Sequence, residues 1–227
     1  MTQPHPNPRV PATTVSRKSA GRCTPCARVV HALCLAVFAA ALPLSAAAQE
    51  AACPTAADLA TGIRATETDG TVHDFTALDG PLVQEDITAP GEDTYRAIFV
   101  HGAHLIYLGP PEPDGIAYQE DTEYVIPIND LPIPAPDSTA LYRTTVTDID
   151  GPYVQNRFQD WGPMEEARIG ACSLRAITGT LTYVSQYDRI TETILYLPDL
   201  RIGLLTRYAM SGQPDETYDF NALEALP

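Results

Sequence analysis

From residue 63 onward, apolar side chains recur at every second position in short runs closed by glycine, proline or aspartate. A period of two sends alternate side chains to opposite faces of an extended chain and offers no helical stripe to bury. The runs 63–68 and 71–75 flank Asp69-Gly70, a dipeptide suited to a two-residue type I′ hairpin turn. The runs 95–100 and 104–108 form a second pair about a tight glycine-containing turn. Residues 116–126, 141–147, 168–183, 190–196 and 202–208 read as further strands, with turns at 148–151, 186–189 and 198–201. Residues 54–61 read as a short helix stopped by Gly62, and residues 217–226 as a final strand or short helix. The expected fold is mainly β: a single antiparallel curved sheet or half-barrel, with a β-sandwich as the alternative, and a short N-terminal helix.

A leader of different chemistry precedes this region. Residues 29–48 carry no charged side chain apart from the titratable His31, and they follow Arg9, Arg17, Lys18, Arg22 and Arg28 with no acid among them. The run ends in Ala46-Ala47-Ala48, small residues at a cleavage position. This is the layout of a secretory signal peptide, expected to be cut before Gln49. An uncleaved anchor is the competing reading, and the charge of Glu50 disfavours a lipid anchor on Cys53. The expected organisation is therefore a signal peptide over 1–48 and one exported β-rich domain over 49–227, periplasmic or secreted, with no stable membrane span after cleavage.

The exported part holds all 29 acidic side chains and nine of the 14 basic ones, none of them lysine, so its formal charge is nine minus 29, or −20. Such a surface repels phosphate backbones and anionic headgroups, which excludes nucleic acid as an expected partner. Cys23, Cys26 and Cys34 leave with the leader, so Cys23-Thr24-Pro25-Cys26 is not read as a redox motif. Cys53 and Cys172 remain, an even pair in an oxidising compartment, and are expected to form a disulfide.

Four stretches carry candidate chemistry. His101-Gly102-Ala103-His104 fits a type II′ turn with Gly102-Ala103 at its centre, which would set the two histidines directly opposite one another, about 4.5 to 5.5 Å apart at Cβ. Two imidazoles are half of a metal site, with His73 as a distant third candidate; histidines at a surface or pocket rim are the plainer reading. Tyr153, Arg157, Phe158 and Trp161 beside Asp160 form an aromatic cluster that lines either a pocket or, as read here, the core. Pro127, Pro132, Pro134 and Pro136 mark an extended segment, read as a loop crossing between two halves of the sheet rather than as a docking strip. Asp148 and Asp150 lack the remaining ligands of a calcium loop and read as an ordinary turn.

Nucleophile elbow, P-loop, dinucleotide fingerprint and H-E-x-x-H are all absent from the sequence, and no cofactor is expected. Without lysine, the exported part has no Schiff-base chemistry. The strand bearing Cys172, a hairpin, and Tyr196-Leu197-Pro198-Asp199-Leu200-Arg201-Ile202-Gly203 leading into residues 204–208 resemble the C-terminal part of exported bacterial proteins without an assigned role. Those proteins are similar in turn to LolA-like lipoprotein carriers. The resemblance covers about a quarter of the exported part. It implies a half-barrel around an apolar cavity that binds acyl chains or protein segments, and it transfers no functional residue. The expected function is non-catalytic binding of an apolar ligand or a periplasmic protein segment. The alternatives are a small hydrolase using acidic residues near Trp161, and a docking module acting through an exposed sheet edge or the proline strip.

Overall fold

The computed structural model describes residues 53–111 and 119–227. The leader and the first part of the expected strand 116–126 lie outside them. Among the described residues, no helix is long and apolar enough to cross a membrane.

The chain forms β1 Ile63–Glu67, β2 Val72–Ala77, β3 Leu82–Thr88, β4 Tyr95–Val100, β5 His104–Gly109, β6 Glu120–Tyr124 and β7 Thr139–Asp148. It continues through β8 Gly151–Ile169, β9 Cys172–Val184, β10 Arg189–Leu197, β11 Ile202–Met210, β12 Glu216–Thr217 and β13 Phe220–Ala225. All thirteen belong to one antiparallel sheet: β1 to β12 follow each other in a meander, and β13 returns to pair with β1. The expectation of a mainly β, single, curved antiparallel sheet is met.

One face of this sheet is dry. Ile63, Ala65, Phe75, Val83 and Leu223, from one end of the strand order, share a buried cluster with Ile169, Ala176, Leu197, Ile202 and Leu204, from the strands near the other end. Strands so far apart in the order touch only if the sheet curls until its inner face meets itself. The β4–β5 turn reaches across as well. A Cβ on Gly102 would run into the Arg201 carbonyl, so glycine there permits backbone-on-backbone packing against the β10–β11 turn. The Cys53–Cys172 disulfide, with Cα atoms 5.5 Å apart, ties the N-terminal segment to the start of β9, where Cys172 Sγ lies 3.8 Å from the Leu223 carbonyl of β13.

Several local expectations need correction. The N-terminal helix contracts to a single 3-10 turn at Asp58–Ala60, and the Asp58 carboxylate is occupied by the Thr55 N–H and hydroxyl. In the first hairpin only Gly70 takes a positive φ, Gly70 N–H donates to the Glu67 carbonyl and Glu67 N–H to the Thr71 carbonyl. That is a three-residue loop with a glycine bulge, not a type I′ turn, and the Asp69 carboxylate accepts from Thr71 N–H instead. The stretch 168–183 is not one strand, because Gly170 turns the chain at a φ of 56° between β8 and β9. β8 runs for 19 residues and takes up Pro163 at a bulge between Trp161 and Met164, where no ladder donor is needed. β3 was not among the expected strands. The proline-rich loop joins β6 to its immediate neighbour β7 and so crosses nothing; Leu131 folds inward onto Val100, Tyr124 and Tyr142.

Two outcomes follow. A chain beginning near Gln49 will show no titratable thiol without reductant, and reduction will lower its unfolding free energy by up to about 4 to 5 kcal/mol, measured in urea. Trp161, the only tryptophan, lies over Gly179, where a Cβ would overlap the indole. Gly179→Ala will therefore cost about 1 to 3 kcal/mol and shift the fluorescence of the displaced indole to the red.

Candidate functional site

Strand β8 sorts the aromatic cluster by simple alternation. Gln155, Arg157, Gln159 and Trp161 point inward and are buried, while Val154, Phe158 and Asp160 point outward. Trp161 and Asp160 thus lie on opposite faces of the sheet.

The inward row meets other buried polar groups. The Arg157 guanidinium donates to Gln155 Oε1 and the Leu105 carbonyl, to the Tyr124 hydroxyl and to Thr122 Oγ1, with Glu120 3.6 Å away. Its Cζ stands 5.0 Å from the Tyr183 ring centroid and 5.4 Å from that of Tyr124. Burial raises the Glu192 carboxyl above its ordinary value, against the Tyr183 hydroxyl that donates to it at 2.7 Å. Trp161 Nε1 donates to Gln159 Oε1 at 3.3 Å, which answers the indole's need for a partner at a polar edge. With its donors engaged by the protein, Arg157 is an internal brace and not an anion site.

The histidine pair falls differently from expectation. His101 and Gly102 have φ of 54° and 68°, and Ala103 N–H donates to the Val100 carbonyl. The turn is centred on His101-Gly102, one residue earlier than the type II′ reading places it, and both central residues have the positive φ of a type I′ turn. His104 pairs with Val100 across the three residues 101–103, and His101 sits at the tip. Burial pushes the His104 imidazole down to about 4, against a hydrogen bond to the Pro132 carbonyl that favours its charged form. Neutral His104 donates from Nε2 to that carbonyl at 2.8 Å and accepts the Gln159 amide at Nδ1, so it clips the proline-rich loop to the inner face. Among the described residues, no group of three His, Cys, Asp or Glu side chains is placed to hold a metal ion with either histidine.

His73 proves the more constrained histidine. It is buried between Glu85 at Nδ1 and Glu67 at Nε2, each 2.7 Å away, and lies edge-on to Phe220. Burial alone would lower its pKa, but the hydrogen bonds of the two carboxylates outweigh that and hold it at about 9. The sequence signal for this triad was available: Glu67 and His73 occupy inward positions of their strands, where alternation calls for apolar groups.

The outward side of β6–β9 has another character. Val125 is 77% exposed, Leu141 62%, Phe158 46% and Val154 44%. Leu141 and Phe158 are direct cross-strand partners, while Val125 N–H donates to the Arg143 carbonyl and Val154 pairs with Thr145, so the four lie on one face with the Arg143–Asn156 row separating Val154 from Phe158. A shallow depression of about 560 Å³ opens there, bordered by Thr139, Leu141, Phe158, Asp160, Thr180 and Thr182. The outward side of β1–β4 is instead a charged row in which Arg64 binds Asp74 and Arg96 binds Asp86, each at 2.7 Å.

The His73 triad generates a pH dependence. Its pKa is raised from 6.5 to about 9 on folding, so its contribution is complete below pH 6.5 and is lost as pH rises through 9. That loss amounts to roughly 3 kcal/mol at 1.36 kcal/mol per unit. Urea midpoints measured between pH 6 and 10 will fall across this window. His73→Phe, which leaves two buried carboxylates without their cation, will cost about 3 to 5 kcal/mol at neutral pH and abolish the alkaline decline.

Comparison of the chain with protein-family models, with curated proteins and with solved structures finds no match.

Proposed function

We propose that this chain is an exported, non-catalytic binding protein that engages a protein partner through the outward face of β6–β9. One observation carries the reading: Leu141 and Phe158, direct cross-strand partners, are exposed side by side between rows whose charges, Arg143 and Asp160, have no ion-pair partner among the described residues, whereas the charges on the outward side of β1–β4 pair with one another. Scattered apolar side chains on a surface need no explanation, but an exposed aromatic–aliphatic cross-strand pair bordering a depression, with Val125 and Val154 exposed on the same face, fits a contact surface. The leader's chemistry supports export, and the acidic surface disfavours nucleic acid and anionic membrane as the partner. Buried side chains pack the inner face in three clusters, and the depression beside Leu141 and Phe158 offers an apolar group of the partner a place outside.

A photoreactive phenylalanine analogue placed at position 158 in the exported chain tests this directly. It will form a protein adduct in the exported fraction, while the same analogue at the exposed Glu92 will not. Leu141→Asp will leave stability within about 0.5 kcal/mol, as expected of an exposed site, and weaken partner binding at least about tenfold. Equal labelling from both positions, or a small-molecule adduct in place of a protein, contradicts the reading.

A further inference from the structure

Resting on that reading, we propose that the partner is a second copy of this chain, docked through the same face. The register of the sheet lays the face out in rows. Leu141, Phe158 and Thr182 are paired in turn across β7, β8 and β9 and form a central row. On one side, about 6.8 Å along the strands, Arg143, Asn156, Val184 and Arg189 are paired across β7 to β10. On the other side, at the same spacing, run Thr139, Asp160 and Thr180. Arg143, Arg189 and Asp160 are exposed and have no ion-pair partner among the described residues. By contrast Arg64, Arg96, Arg175 and Arg207 are each engaged by an aspartate.

A two-fold axis lying along the central row turns this arrangement onto itself. Leu141 and Phe158 then meet Leu141 and Phe158 of the second copy, and the row with Arg143 meets the row with Asp160, twice over. That is the self-complementarity an isologous contact requires. A basic partner would meet Arg143 and Arg189 at this face. An acidic partner would meet the rest of a surface whose net charge is −20. The opposed charges also fix the orientation, because sliding one copy along the strands sets like charges against each other.

Sedimentation velocity on the disulfide-bonded chain beginning at Gln49 tests the pairing. A monomer–dimer equilibrium is expected, with dimer dominant by about 100 µM at moderate ionic strength. Phe158→Asp will remove the dimer while the emission of Trp161, on the opposite face, stays unchanged. Arg143→Glu and Asp160→Arg will each weaken the dimer by about tenfold or more, and the two combined in one chain will restore it. A chain that stays monomeric at that concentration, or a dimer indifferent to all three changes, overturns the inference. The photoadduct at position 158 separates this failure from that of the binding reading. An adduct with a different protein on a monomeric chain overturns the self-pairing and keeps the binding face, whereas a monomer without any protein adduct overturns both.

Discussion

A sheet of thirteen strands with one apolar face can hide that face only by folding it against itself, and the rest of this structure depends on that closure. No helical layer is present among the described residues to cover it. The apolar residues of β1–β3 and β13 are therefore buried by those of β8–β11, strands far away in the sheet order. Hydrophobic burial supplies the drive, and small residues allow the approach: Gly102 lets the β4–β5 turn lie on the β10–β11 turn, and Gly179 makes room for Trp161. The disulfide joins the segment before β1 to β9, where the two ends of the sheet come together.

Closure also explains why the interior is polar in places. Glu67, His73 and Glu85 are carried inward by the same alternation that carries Ile63, Ala65 and Phe75, and they become tolerable because the imidazole lies between the carboxylates. Arg157 is likewise enclosed with hydroxyls, carbonyls and ring faces for company. These groups fix relative strand positions more narrowly than apolar contacts alone would. A shift of one residue would turn Arg157 outward and Phe158 inward, leaving the polar partners of Arg157 buried and unpaired.

The disulfide is legible from the even pair of cysteines that remains beyond the leader. Alternation makes the fold class legible in the chain, along with β2, β4, β5, β10 and β11, because one side of each strand is dry and the other wet. It failed where geometry is set from a distance. The stretch 168–183 looks continuous, and the turn at Gly170 depends on how β8 meets β13. The histidine turn falls one residue earlier than the type II′ reading because His101 itself takes a positive φ beside Gly102, whereas that reading asks a positive φ of Gly102 alone. Tyr153, Arg157, Phe158, Asp160 and Trp161 read as one cluster when they are counted as neighbours, but they divide between two faces once their parity is followed across an unbroken strand. The exposed quartet was invisible for a related reason: an apolar residue at an outward position is recognised only when its row partners are known, and those come from β6, β7 and β8 together.

Trp161 and Tyr196 belong to the buried interior, whereas Leu141 and Phe158 are exposed on the opposite face, where the contact surface is proposed. Carbene footprinting of the exported chain, once purified and once in its own exported fraction, tests both halves together. Strong labelling of Leu141 and Phe158 and little of Trp161 or Tyr196 is expected in the purified, dilute chain, with protection of Leu141 and Phe158 appearing in the fraction. Labelling of Trp161 to the level of Phe158 would contradict the register, and unchanged labelling of Phe158 in the fraction would contradict the surface.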